Sequence, residues 1–382
     1  MVGQRGTIRR VFPGGNTGYG FHSFYHYMIK PDATRIFCIK GGPGVGKSTF
    51  MRHIGEHFLN QGYDIEYHCC SSDNGSLDGI VIPALEVALL DGTAPHVVDP
   101  KNPGAVDEIV HLGDNWDETI LRQNKETILK TNARVGRLFV IAYASLREAR
   151  VIIEEWESYV TESQNFGAVN ELTKAIQQKI FANAPEDYSI TPQNRHLFAS
   201  AITPQGPQTH FPSILQGLET IISIQGVPGC GKSTLINSIY QAAQHRGLYC
   251  EVYHRPIDPK KMDGVLIPSL KVAVVNSGLP FTFDPSEISG GGEVISYDLS
   301  NYLDGQIYNK YAVEVAAATA RCRAAFNRGA QYISLAKAEH DVMEEYYIPA
   351  MNFEAINFRR DQIIKRIEQY AKELNSKKDA PA

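Results

Sequence analysis

Apolar positions along the chain follow two rhythms. RIFCIK at 35–40 and TIISIQ at 220–225 are short, β-branched apolar runs that end against a glycine-rich turn, and they predict strands. After each turn the apolar residues recur at helical spacing. One helix is predicted from Ser48 to about Gln61, closed by Gly62, and another from Ser233 to about Arg246, closed by Gly247. Second strands are predicted at 63–70 and 248–254. Third strands follow at VALLD (87–91) and VAVVN (272–276). Strand, glycine turn, helix, strand is the α/β pattern. Residues 117–182 and about 304–375 then show helical spacing, with Phe139, Tyr143, Leu146, Ile153 and Trp156 as packing residues in the first. They read as a helical hairpin appended to each core. The polar end, 374–382, is expected to fray.

The two halves repeat. GGPGVGKST from Gly41 matches GVPGCGKST from Gly226 at an offset of 185. At the same offset LDGIVIPALEVAL from Leu77 matches MDGVLIPSLKVAV from Met262. Further on, NFGAVN from Asn165 matches NFEAIN from Asn352 at an offset of 187. A period this long marks a duplicated domain rather than a solenoid. The copies are expected at 1–187 and 188–382, with a linker within Ala182–Gln208.

Composition narrows the function classes. The chain has 382 residues, enough for two or three domains, and 43% are hydrophobic, which leaves ample material for packed cores. A net charge of -5 disfavours nucleic acid as the main partner. None of the six cysteines forms a CxxC pair, so they read as cytosolic thiols. No apolar run reaches the roughly 18 residues of a membrane span, and the basic N-terminus lacks an apolar signal region. A cytoplasmic location with no membrane association is expected.

The chemistry lies in the glycine turns. Gly41, Gly42, Pro43, Gly44, Val45, Gly46, Lys47, Ser48 and Thr49 form a GxxxxGK[ST] loop between strand and helix. So do Gly226, Val227, Pro228, Gly229, Cys230, Gly231, Lys232, Ser233 and Thr234. Glycines let the backbone wrap a phosphate, and the loop amides with the helix N-terminus present positive dipole to it. Lys47 and Lys232 are expected to reach the β- and γ-phosphates of ATP, with Ser48 and Ser233 as Mg²⁺ ligands. Asp91 ends its strand where a Mg²⁺-supporting acid would stand, or else it starts a turn with Gly92. Copy two has Asn276 there, a neutral amide that lacks the charge Mg²⁺ prefers, so the first site is expected to be the catalytic one.

Asp73 and Asp258 follow the second strand of each copy, as a proton-accepting or Mg²⁺-side acid or as turn residues. The same alternatives hold for Asp78 and Asp263, and for Asp99 and Asp284, which precede proline. His68 beside Cys69 and Cys70 has the wrong spacing for one tetrahedral metal site, since successive strand residues point to opposite faces. His96 and His111 are substrate-contact or surface residues. Arg134 and Arg321 align at an offset of 187 and are candidates for a lid arginine, with Arg255 a third. ISGGGE from Ile288 faintly matches a transporter signature but follows the acid-ending strand instead of preceding it.

Taken over nearly its whole length, the chain resembles the uncharacterised duplicated P-loop ATP-binding proteins of spore-forming Gram-positive bacteria. The resemblance rests on GGPGVGKSTFMRHIGE, HCCSSDNGSLDGIVIP, DGTAPHVVDPKNPGAVDEI and the second GVPGCGKST. It implies two P-loop NTPase domains in a cytoplasmic, ATPase-like or nucleotide-kinase-like protein. The expected activity is transfer of the γ-phosphoryl of Mg·ATP to an unidentified small acceptor, or slowly to water. A nucleotide-operated switch for a protein partner is the alternative.

Overall fold

The computed structural model describes residues 4–93, 97–279, 281–288, 290 and 292–378. In chain order the first repeat gives β1 (Ile8–Val11), β2 (Gly14–Thr17), β3 (Gly20–Ser23), β4 (Arg35–Lys40), α1 (Lys47–Asn60), β5 (Ile65–Cys69), β6 (Leu77–Ile82), β7 (Val87–Asp91), β8 (Asp107–His111), α2 (Glu118–Gln123), α3 (Lys125–Ser163) and α4 (Phe166–Phe181). The second gives β9 (Arg195–Leu197), β10 (Ser200–Thr203), β11 (Gly206–Thr209), α5 (Phe211–Ile214), β12 (Thr220–Gln225), α6 (Lys232–His245), β13 (Glu251–His254), β14 (Met262–Ile267), β15 (Val272–Asn276), β16 (Glu293–Asp298), α7 (Gly305–Lys310), α8 (Ala312–Tyr347) and α9 (Phe353–Lys378). The C-terminal segment expected to fray is helical through Lys378.

Two six-stranded, mostly parallel sheets result, in the orders β1-β5-β6-β7-β4-β8 and β16-β12-β15-β14-β13-β9. In each, one strand runs against the rest: β6 is antiparallel to β5 and β7, and β14 to β13 and β15. All six residues of β6 are buried. Its side chains Leu77, Ile80 and Ile82 lie in one core with Phe37, Ile54 and Phe58. β4 is buried from Ile36 to Ile39, the continuous apolar run of a strand covered on both faces. It pairs in parallel with β7, which sets Ile39 level with Asp91 at the strand ends. α1 turns Phe50, Met51, Ile54, Phe58 and Leu59 toward the core.

The chain divides into two compact units that do not follow the repeat boundary. The first comprises the chain up to Pro13, Ser23–Phe139 and Ser334 onward; the second comprises Gly14–His22 and Val140–Ile333. Within the first unit α9 packs on α1, placing Ile356, Ile363 and Ile367 in the core of β4 and α1, and His57 Nε2 lies 2.9 Å from Glu368 Oε1. Within the second, α4 packs on α6, where Gln177 Nε2 donates to Ser238 O (3.1 Å). The helices expected after each core therefore exist, but each covers the core of the other repeat. The physical reason is length. α3 has 39 residues, about 58 Å of helix, and its turn at Gln164 and Asn165 belongs to the second unit.

Candidate active site

Loop one lies between β4 and α1. Gly46 sits at φ 82°, a left-handed conformation that frees the N–H groups of the first turn of α1. Gly44 has φ 66°. The Lys47 ammonium donates to Gly41 O (3.1 Å) and Gly42 O (2.8 Å) and lies 3.6 Å from Asp91 Oδ2. Thr93 completes this corner, its hydroxyl donating to Gly41 O (3.0 Å) and its amide to Asp91 Oδ1 (2.9 Å). Burial raises the Asp91 pKa, and the nearby Lys47 charge partly offsets the rise. Ser48 Oγ accepts from the Leu77 N–H (2.9 Å), which anchors the start of α1 to β6. Ser48 and Asp91 thus supply the hard oxygen donors that suit Mg²⁺, and this site fits the ion.

Loop two repeats the backbone and changes the polar groups. Lys232 is buried and donates to Gly226 O (2.6 Å) and Val227 O (2.9 Å); burial lowers its pKa. Ser233 Oγ accepts from Met262 N–H (3.0 Å). Asn276 donates through Nδ2 to Asp263 Oδ1 (3.0 Å), and its Oδ1 accepts from Gly278 N–H (3.0 Å). The same Asp263 oxygen accepts from Arg255 Nε (2.9 Å). Glu157 of α3 lies 3.7 Å from Arg255 Nη1 and bonds Lys261. Asn276 is a neutral amide where Asp91 is a carboxylate, and Asp263 is paired with the Arg255 cation, so the donor set fits Mg²⁺ poorly beside loop two. At the place of Arg255 the first unit has Cys70; burial, then the charge of Asp78, pushes its thiol and the Tyr25 hydroxyl up.

Within the first unit α8 closes on loop one. Gly44 N–H donates to Glu344 Oε1 (3.3 Å). A Cβ on Gly42 would lie 2.7 Å from Tyr347, and one on Gly44 would lie 3.1 Å from Ile348. Lys337 of the same helix lies 3.5 Å from Asp73 Oδ1. Burial raises the Asp73 pKa against the pull of Lys337. Asp73 is therefore drawn to the α8 side of the loop. Asp258 is buried in a turn, where its Oδ1 accepts from Lys260 N–H (3.2 Å).

The remaining sequence candidates lie in other settings. Arg134 Nε pairs with Glu339 (2.9 Å) and Arg321 bonds Glu155, so both arginines are held by carboxylates of the long helices. Asp99 accepts from Lys40 Nζ (3.0 Å), Asp284 caps Ser286 N–H (2.9 Å), and His111 Nδ1 lies 2.6 Å from Asp114. His68 is buried 2.8 Å from Glu66. His96, Ser289 and Gly291 lie outside the described residues. Sequence reasoning missed Glu344, Lys337 and Glu157. Each sits in a long helix among many exposed charges, and nothing local marks it.

Residues 21–81 match the family described as Nephrocystin 3, N-terminal, and residues 222–278 match that described as viral superfamily 1 RNA helicase core domain. The first segment contains loop one and the second contains loop two. No curated protein and no solved structure matches the chain. Among the described residues, no helix is long and apolar enough to cross a membrane.

Proposed function

We propose that the protein binds nucleoside triphosphate at both loops and uses loop one to transfer the γ-phosphoryl of ATP to a small acceptor, or slowly to water. The observation that carries this reading is the pairing of a strand–loop–helix phosphate cradle with Lys47 3.6 Å from Asp91. The helicase-core match over the second loop supports nucleotide binding in general. Lys47 would exchange its two loop carbonyls for the β- and γ-phosphate oxygens. The loop amides would hold the β-phosphate against the α1 dipole. Mg²⁺ held by Ser48 and Asp91 would neutralise charge developing between the phosphoryl and its leaving group. Asp73 would take the acceptor proton, and burial raises its pKa toward that of a working base. This is the nucleotide chemistry implied by the family resemblance, in a two-site protein of tandem P-loop domains.

The test follows γ-labelled phosphate from Mg·ATP with a pooled metabolite extract. A labelled metabolite is expected, lost in Lys47→Ala and retained in Lys232→Ala. Free phosphate alone makes the protein an ATPase. Bound ATP with no transfer leaves the switch reading, which the Glu344 contact on loop one favours.

The raised Asp91 pKa carries a sign. Mg²⁺ needs the carboxylate, so the Mg²⁺ dependence of nucleotide binding at loop one is full above the Asp91 pKa. It falls as acid protonates the group, at a higher pH than for an ordinary aspartate. Asp91→Asn is expected to abolish this acid limb. Equal acid limbs in the wild type and the variant would exclude Asp91 as the metal-side acid.

A further inference from the structure

A cavity of about 650 Å³ opens beside the first turn of α1 in the first unit. That volume lies within the range of small-molecule sites, roughly 300–1,000 Å³. Its walls are the segment after β8 and the N-terminus of α9. Trp116 and Phe353 give it two aromatic faces, and Asp114, Asn115, Asp117 and Glu354 give it hydrogen-bonding edges.

Its position relative to loop one is fixed on both sides. A Cβ on Gly46 would lie 3.6 Å from the Phe353 ring, and one on Gly41 would lie 3.6 Å from Leu112 and 3.7 Å from Gly113 N. The floor is braced: Asp117 N–H donates to Ala350 O (2.7 Å) and Asn352 N–H to Asn115 O (2.8 Å). Phe353 remains 40% exposed, an aromatic face presented to the cavity mouth. The acidic lining repels a phosphate but accepts hydrogen bonds from ring N–H groups, exocyclic amines and ribose hydroxyls. Aromatic faces with acceptor edges, beside a glycine of the phosphate-binding loop, are what a nucleoside needs.

We infer that this cavity holds the base and ribose of the nucleotide whose phosphates lie in loop one, with Trp116 and Phe353 packing against the base. The inference rests on the nucleotide reading above. The second unit keeps part of this provision: Phe166 stands at the place of Phe353, with a Cβ on Gly231 3.5 Å from its ring, but Leu303 stands at the place of Trp116. There the β-bridge between Trp116 and Met351 is replaced by one between Leu303 and Gln164. The Gln164 amide is buried, donating to Cys230 O (2.8 Å) and Leu299 O (3.1 Å). Trp116 is therefore the part of the platform that loop one has and loop two lacks, and selection by base is expected to be stronger at loop one.

The chain has two tryptophans, Trp116 at the cavity and Trp156 in the other unit. Trp156→Phe makes Trp116 the reporter. Mg·ATP is expected to change Trp116 fluorescence, and inorganic tripolyphosphate, which has no base, is expected to reverse the change only at much higher concentration. Phe353→Ala, at a half-exposed site that leaves the core intact, is expected to weaken ATP about tenfold, the lower end of aromatic stacking losses. Its inhibition constant for tripolyphosphate should not move. Equal affinity for ATP and tripolyphosphate in the parent would overturn the base site and leave the loop reading standing. So would an equal loss of both ligands in Phe353→Ala. Binding of neither ligand would overturn both readings.

Discussion

Fragments 1–187 and 188–382, expressed separately, are each expected to fail to fold cooperatively, and to regain a cooperative melt when co-expressed. The repeat boundary suggests two self-sufficient domains, but the packing does not. Fragment 1–187 keeps β4, α1 and the rest of the first sheet but loses α9. Ile363 and Ile367 are fully buried in that core and Ile356 nearly so. Burying one isoleucine side chain contributes about 1.5–3 kcal/mol. Three of them rival much of the 5–15 kcal/mol by which an ordinary domain is stable. Fragment 188–382 loses α4, with Val169 and Ile176 buried in its unit, and also the Asn16 amide that donates to Ile202 O (3.1 Å). Circular dichroism during heating is the measurement. A sharp melt of 1–187 alone, close to that of the full chain, would show that the exchanged helices add little.

Arg255→Met is expected to cost the second unit about 3–5 kcal/mol, the usual penalty for removing one partner of a buried ion pair. The guanidinium is buried and bonds Asp263 at 2.9 Å, with Glu157 at 3.7 Å. Without it, Asp263 keeps the Asn276 amide and the attraction of buried Lys232 but loses the cation that hydrogen-bonds it. The double variant Arg255→Met/Asp263→Leu is expected to recover most of the loss, because a packed apolar pair replaces the stranded charge. Trp116→Phe leaves Trp156 to report unfolding of this unit in urea. A loss below about 1 kcal/mol for Arg255→Met would place the pair in the class of surface ion pairs.

Much of the phosphate cradle was legible in the sequence because its determinants are local. β4, β7, β12 and β15 match their apolar runs residue for residue, and α1 and α6 start within one residue of expectation. β6 and β14 were harder. Asp78-Gly79 and Pro83 punctuate LDGIVIP like a turn, and only its complete burial shows that it is an inner strand. β8 hid for the opposite reason, since Asp107, Glu108 and His111 break its apolar pattern. The exchange of helices left no trace in the sequence. α9 carries the same apolar stripe whichever core it covers, and the choice is made by loop lengths and the span of α3 and α8. Site residues divide the same way. Lys47, Ser48 and Asp91 lie where spacing puts them, whereas Glu344 reaches Gly44 from 300 positions away.

That contact gives loop one a tethered competitor. A phosphate oxygen entering the cradle seeks the Gly44 amide that the Glu344 carboxylate now holds. The affinity observed for any triphosphate is then a difference between two anions' claims on one N–H, with the protein's own anion always present at the same local concentration. By thermodynamic reciprocity, whatever factor Glu344 takes from nucleotide binding, bound nucleotide takes from the seating of α8.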